Sequence, residues 1–332
     1  MKRILSVLLI FTLGISCLFL AGCKKDDSKL KKVTLNEVAH SIFYAPQYAA
    51  YELGYFEEEG IDLEIVTGFG ADKTMTAVLS GEADIGFMGS EASIYICAEG
   101  AKELVVNFAQ LTQRAGNFLV AREPMTEFSW DEIKGKTVLG GRQGGMPEMV
   151  FEYILKKQGI DPEKDLNIVQ NIDFGSTAAA FTGGQGDFTV EFEPFATSLE
   201  LEEEGYVVAS LGVDSGYVPY TAYCAKDSYL EENPEIIQSF TNAMQKGMDY
   251  VNSHSAEEIA KVIAPQFSET DVSTIATIID RYKQQDTWKD NLVFEKDSFT
   301  LLNDILIESN QLKEAVPYDK LVTTEYAEKA KK

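Results

Sequence analysis

Histidine is nearly missing from this chain: His40 and His254 are the two in 332 residues. They lie far apart, so histidine-based metal sites and Ser-His or Cys-His catalytic arrangements have little to draw on. No HExxH, GxSxG or Walker phosphate loop occurs either. Cysteine is also scarce. Cys17, Cys23, Cys97 and Cys224 are the four present, and none has the spacing of a metal-ligand cluster. Basic residues are outnumbered, 29 Lys and Arg against 53 Asp and Glu, for a formal charge of −24. Such a surface repels phosphate backbones and anionic bilayers, which argues against nucleic acid as a partner. Beyond the first twenty residues no stretch is apolar enough to span a bilayer.

The one long apolar run, Ile4 to Leu20, follows Lys2 and Arg3 and ends in Leu20-Ala21-Gly22-Cys23 before Lys24, Lys25, Asp26 and Asp27. A positive start, an apolar middle and small residues at the end read as a secretory signal over residues 1–22. Small-small-Cys after Leu resembles a bacterial lipoprotein signal, in which the cysteine, here Cys23, is acylated (palmitate among its chains) and becomes the new N-terminus. The expected location is therefore extracytoplasmic, on the outer face of the cell membrane, with the lipid as the only membrane contact. Losing Lys2 and Arg3 takes the charge to about −26 and leaves about 310 residues, enough for two lobes. Residues 23–32 are charged and patternless, a tether. Cys97 and Cys224 sit in apolar surroundings and read as separate buried thiols, with a disulfide as the alternative.

From Val33 onward strands and helices alternate. Val33–Ala39, Ile61–Val66 and Ala83–Met88 read as strands, separated by helices over Pro46–Phe56 and Asp72–Leu79; Ser90 is placed to cap a helix running to Ala98. A second set follows: strands Lys136–Gly140, Leu166–Ile172, Phe188–Phe192 and Tyr206–Leu211, with helices starting at Pro147, Ser176 and Pro194. Repeats at this spacing predict parallel sheets with helices on their faces, an α/β fold. Residues 234–312 read as three or four helices. The extended segments Val105–Ala121 and Tyr217–Ala225 cross between the two sets, which predicts lobe 1 from residues 33–110 and 222–332, lobe 2 from 111–221, and a hinged cleft between them.

In such folds ligands lie past the carboxyl ends of strands and at helix N-termini. Phe43 and Tyr44 follow the first strand, Phe69 the second, and Gly89, Ser90 and Glu91 the third. Arg142, Gln143, Gly144, Gly145 and Met146 follow the first strand of the second set, and Glu191 and Glu193 end a later one. Gln110 and Tyr217 lie on the crossings. Phe43, Tyr44, Phe69 and Tyr217 together would clamp a flat ring; singly, each is equally an ordinary loop-packing aromatic. Gly144 and Gly145 would expose backbone N–H groups to a ligand acceptor, or form a bare turn.

Four stretches carry a family resemblance: Ala49-Ala50-Tyr51-Glu52-Leu53-Gly54-Tyr55-Phe56-Glu57-Glu58-Glu59-Gly60-Ile61-Asp62, Leu79-Ser80-Gly81-Glu82-Ala83-Asp84-Ile85-Gly86, Ile133-Lys134-Gly135-Lys136-Thr137-Val138, and Gly186-Asp187 with Glu193-Pro194. In order and spacing they resemble the solute-binding proteins of ABC importers that take up nitrate, sulfonates, taurine and thiamine pyrimidine precursors. The resemblance implies a two-lobe, type II periplasmic-binding-protein fold, a monomer that closes on a small molecule, a permease with its ATPase as partners, and no cofactor. Most of the shared motifs are scaffold: Gly-Tyr-Phe ends a helix, and Gly-Glu-Ala-Asp turns into a strand. Arg142 is one of few basic residues near the cleft, against Glu91, Glu191 and Glu193. That balance favours a neutral or cationic heteroaromatic such as an aminopyrimidine over a sulfonate, taurine or nitrate. Glu191 and Glu193 also admit a salt bridge between lobes or a charge at the Pro194 helix N-terminus. Some eukaryotic relatives of this family are pyrimidine synthases with an active-site histidine and a cysteine-rich iron motif. His40 is near the right place, but the cysteine cluster is absent, so an enzyme is not expected. A ligand sensor for a surface partner would look the same in sequence.

Overall fold

The computed structural model describes residues 30–173 and 175–331. The signal, Cys17, Cys23 and the tether up to Lys29 lie outside the described residues. From Lys31 on, the chain forms one compact unit built on two five-stranded sheets.

The first sheet contains β1 (Lys31–Glu37), β2 (Ile61–Thr67), β3 (Ile85–Gly89), β4 (Val105–Gln110) and β10 (Thr221–Lys226) in the order β2-β1-β3-β10-β4. The second contains β5 (Asn117–Ala121), β6 (Thr137–Leu139), β7 (Asn167–Val169), β8 (Phe188–Phe192) and β9 (Tyr206–Ser210) in the order β7-β6-β8-β5-β9. Each sheet has four strands running in one direction and one inserted antiparallel strand, β10 in the first and β5 in the second. Those inserted strands carry the chain from one lobe into the other. β3 is buried along its whole length, as a central parallel strand with helices on both sides must be. β2 is at the sheet edge and alternates buried and exposed at its start. β1 begins two residues earlier than the hydrophobic pattern suggests, because the Lys31 N–H is taken by the Gly60 carbonyl at 2.9 Å.

The helices that position the cleft are α1 (Ala45–Glu52), α2 (Ala71–Ser80), α3 (Glu91–Ala98), α4 (Met146–Lys157), α5 (Thr177–Thr182) and α6 (Phe195–Leu201). The tail forms α7 (Pro234–Ser253), α8 (Ala256–Ile263), α9 (Val272–Gln284) and α10 (Lys296–Glu308). α1 is almost wholly buried because α7 lies directly on it; a Cβ on Gly247 would sit 2.3 Å from the Pro46 carbonyl, so only glycine permits this approach. Ser255 and Glu258 form a reciprocal capping box at α8, and Asp271 caps α9.

Three segments, not the two expected crossings, make up the hinge. Val218 and Tyr220 donate to the Gln113 and Thr112 carbonyls, joining the two crossings side by side. The tail then adds a third: Gln110 donates to Leu292 and Gln113 to Thr287. The tail also bears on both sheets. Arg281 of α9 pairs with Glu193 and Glu200 beside the second sheet, and Lys156 of α4 donates to the Glu308 carbonyl at the end of α10.

Candidate functional site

The two lobes meet through direct contacts. Ser41 Oγ donates to the Glu193 carbonyl at 2.6 Å, the Tyr95 hydroxyl to the Gly144 carbonyl at 2.9 Å, and Arg142 approaches Asp72 at 3.7 Å. Between them lies a cavity of about 60 Å3 with walls from both sheets. Tyr44, Gly89 and Glu91 face it from the first sheet, and Arg142, Met146 and Phe192 from the second. Tyr220 and Thr221, where the chain re-enters the first sheet, complete the wall. A larger groove of about 710 Å3 runs along α4, β7 and the end of α10. It is open, takes no wall from the strands of the first sheet, and its Glu152 and Lys156 pair with each other. The small cavity is the better candidate, as enclosed apolar space with a few convergent polar groups.

Its polar equipment is unusual. Glu91 Oε2, in its wall, is buried without a hydrogen-bond partner; so are Ser90 Oγ, Gln110 Oε1 and Asn117 Nδ2 at the ends of β3 and β4 and the start of β5, which are not among its lining residues. Each such group costs about 1–3 kcal/mol when left unmade. Ser90 precedes α3, yet its hydroxyl makes no capping bond. Gln110 uses its amide on the Thr112 carbonyl, leaving the oxygen, and Asn117 uses its oxygen on the Tyr220 hydroxyl, leaving the amide.

Glu91 is the most perturbed of these. Burial pushes its carboxyl up to about 7, while its own N–H, Arg142 and the Met146 N–H draw it partly back. A Cβ on Gly89 would lie 2.0 Å from Glu91 Oε2, so glycine there leaves room for the carboxyl. Glu191 is likewise pushed up to about 7 by burial, but it accepts from Thr189 at 2.6 Å and Thr177 at 3.1 Å. It lines an adjoining hollow of about 20 Å3 that shares Gly141, Pro147 and Phe192 with the main cavity.

Of the residues expected at the ligand, Tyr44, Gly89, Glu91, Gly145 and Met146 line the main cavity, and Glu191 its neighbour. Others have different work. Phe43 is wholly buried in the hinge among Tyr44, Phe192, Tyr220 and Tyr282, pressed so close to Gly116 that a Cβ there would touch its ring. Tyr217 is exposed, stacked under Arg114 and bonded to Asp286. Phe69 is 57% exposed at a backbone φ of 57° and does not line the cavity, although its neighbour Gly70 does. Of the four aromatics of the expected clamp Tyr44 lines the cavity, and the other rings there are Phe192 and Tyr220. Gln143 lines the open groove. The Gly144 N–H is spent on Glu148 and the Gly145 N–H on the Arg142 carbonyl, so the glycine pair builds the turn rather than offering donors. Glu193 accepts from Arg281 at 2.7 Å and from the Thr197 N–H and hydroxyl, each at 2.9 Å. The salt-bridge alternative thus describes its contacts.

Phe192, Tyr220 and Thr221 were missed as candidates. The rule of looking past strand ends covers Phe192, which sits between the two glutamates singled out, and Tyr220 and Thr221 lie three and four residues beyond Tyr217 where β10 begins. His40 has both ring nitrogens engaged, Nδ1 with Glu37 at 2.9 Å and Nε2 with the Gln266 carbonyl at 2.8 Å. Cys97 and Cys224 are free thiols. Among the described residues no group of three His, Cys, Asp or Glu is placed to hold a metal.

Comparison with known proteins places these features in a family. The NMT1/THI5-like family model matches residues 42–258. The chain is 48% identical over 310 residues to YtlA of Bacillus subtilis (strain 168), provisionally named a binding protein, covering 93% of this chain and 92% of that one. It is 27% identical over 267 residues to the formylaminopyrimidine-binding protein of Halalkalibacterium halodurans, covering 77% and 78%. Among solved structures, the periplasmic nitrate-binding protein NrtA of Synechocystis PCC 6803 superposes with a TM-score of 0.74 at 16% identity, covering 91% of this chain and 88% of that one. That likeness identifies the fold as the periplasmic-binding-protein fold.

Proposed function

The chain belongs to the NMT1/THI5-like family, and from that premise we propose that it is the solute-binding component of an ABC importer whose ligand is a small aminopyrimidine-like heteroaromatic. Its two lobes close on the ligand and present it to a permease driven by an ATPase. In this reading Cys23 carries the lipid that holds the receptor outside the cell membrane, and the protein acts as a monomer.

The observation that carries the ligand class is Glu91: a buried carboxyl with one unpaired oxygen in a cavity walled by Tyr44, Phe192 and Tyr220. A carboxyl and an aminopyrimidine make a two-point pair, one oxygen accepting from the exocyclic amine and the other sharing a proton with the ring nitrogen. A carboxyl poised at about 7 suits that sharing, because the pair keeps both hydrogen bonds whichever partner holds the proton. The aromatic walls supply stacking surface. Ser90, Gln110 and Asn117 supply further hydrogen-bonding atoms. A ligand held by these groups between the two lobes binds the closed state better than the open one. That difference drives closure. The name of the 27% identical relative supports the same class.

An anion-binding reading rests on Arg142 and the Met146 N–H at the same cavity. A synthase-like reading finds little support at His40, whose nitrogens are both held by Glu37 and Gln266. Calorimetric titration with 4-amino-5-aminomethyl-2-methylpyrimidine, its N-formyl derivative, taurine and nitrate decides between the classes. The pyrimidines are expected to bind, and at a hundredfold excess over Kd to raise stability by about 2.7 kcal/mol. Binding of taurine or nitrate without either pyrimidine overturns the ligand class; binding of none overturns the transport reading.

A further inference from the structure

We propose that Glu91 is a built-in anion: contributed by one lobe, it occupies the helix N-terminus offered by the other and thereby excludes anionic ligands from the cavity. This rests on the reading of that cavity as the ligand site.

α4 is a 12-residue helix that begins at the cavity wall without a side-chain cap. Its neighbourhood has the makings of an anion site: a helix N-terminus, the Met146 N–H, and Arg142 on the same wall. The Gly144 and Gly145 N–H groups are consumed within the turn and Pro147 has none, so few donors remain. The Met146 N–H faces Glu91, which arrives from the end of β3 across the cleft. Gly89 leaves the space that lets this carboxyl lie back against its own strand. One carboxyl oxygen, Oε2, is buried and unpartnered beside Gly89, which lines the cavity with it. A sulfonate, nitrate or carboxylate entering here would set a second negative charge against a buried first one, with a single guanidinium, Arg142, to serve both. Arg142 is moreover shared with Asp72 at the rim. Repulsion built into the site acts as selectivity against the wrong partner, not only for the right one. A neutral or cationic donor meets no such repulsion and finds an acceptor.

The groups facing Glu91 are Arg142 and Met146 from the α4 side, Tyr95 one turn along α3, Tyr44 before α1, and Tyr220 and Cys224 from the β10 side. Burial keeps the tyrosines and the thiol protonated, so among these groups Glu91 is the one whose charge changes near neutrality; Glu191 in the adjoining hollow and Glu148 on α4, both raised by burial, titrate in the same range. The test is calorimetric titration of methanesulfonate into the wild-type protein, Glu91→Gln and Glu91→Ala at pH 8. The wild type is expected to give no measurable binding, and both variants at least tenfold tighter binding, lost again when Arg142→Ala is added. In the wild type, methanesulfonate affinity is expected to rise at least tenfold as pH falls from 8 to 5, with a smaller rise in the variants, where Glu191 and Glu148 still titrate. The wild-type rise needs no substitution and so survives any folding defect in the variants. Equal methanesulfonate affinity in wild type and variants, or tight wild-type binding at pH 8, overturns the proposal. The pyrimidine titrations keep its failure separate. If the wild type ignores pyrimidines while the variants gain methanesulfonate, the ligand class fails and the built-in anion stands. If pyrimidines bind and no gain appears, the reverse holds.

Discussion

The two sheets have the same strand arrangement, so β3 and β8 occupy equivalent central places, and each is followed by buried glutamate. The outcomes are opposite. After β3, Glu91 has an unpaired oxygen and lines the cavity. After β8, Glu193, 0% exposed, is saturated by Arg281 and Thr197, and Glu191, within the strand, is held by two threonines. Equal burial and chemistry at equivalent positions give one carboxyl for a ligand and one for the scaffold. What separates them is the partner supplied from elsewhere: α9 brings a guanidinium to Glu193, while Glu91 meets the mouth of a helix and an open space.

That contrast predicts different failures. The largest effect is expected from Arg281→Leu, which strands Glu193 without its counter-charge and should cost about 3–5 kcal/mol in chemical denaturation, while pyrimidine affinity stays within twofold of wild type. Lost affinity with unchanged stability would reverse the assignment of the two carboxyls. Next comes pH. Because the Glu91 carboxyl is raised from 4.5 to about 7 in the folded protein, the folded state holds a proton that the unfolded chain releases earlier. Its contribution is full below pH 4.5 and is lost as pH rises to about 7. The stability difference between wild type and Glu91→Gln should therefore shift against the wild type by about 2–3 kcal/mol across that window. Glu191 titrates there too, so the comparison with Glu91→Gln isolates one group; a difference flat with pH would contradict the burial of Glu91. Gly89→Ala, by pressing on the carboxyl, should cost about 1–3 kcal/mol and weaken pyrimidine binding, and unchanged binding would remove Gly89 from the site. Smallest is Tyr217→Ala, expected to leave affinity unaltered within error because that ring stacks on Arg114 at the surface; a clear loss would restore it to the clamp.

Much of the fold was legible because its signals are local. The alternation in Ile61–Val66, the uninterrupted apolar run of β3, and Pro147 at the start of α4 each follow from a few neighbouring residues. The site was legible as a place more than as a set. Looking past strand ends found Tyr44, Gly89, Glu91 and Met146. It also drew in Phe43 and Glu193, which the same rule cannot tell apart, as the crossing segments drew in Tyr217. Phe43 is removed from the cavity by Gly116 and Tyr282, and Glu193 by Arg281; these partners lie 73, 239 and 88 positions away in the chain. The sequence pattern assigns the tail to the first lobe, yet α9 and the segment after it also run beside the two crossings and supply the clamp on Glu193.

By itself, then, the sequence determined the alternation of strands and helices, the acidic body poor in histidine and cysteine, and the strand ends at which a ligand could sit, since all of these depend on composition or on neighbours within a few residues. Only the tertiary structure decided which buried carboxyl was paired and which was left open, because that depends on which side chain arrives from a distant helix. In a low-dielectric interior the presence or absence of one such partner decides whether a charge belongs to the scaffold or to the ligand.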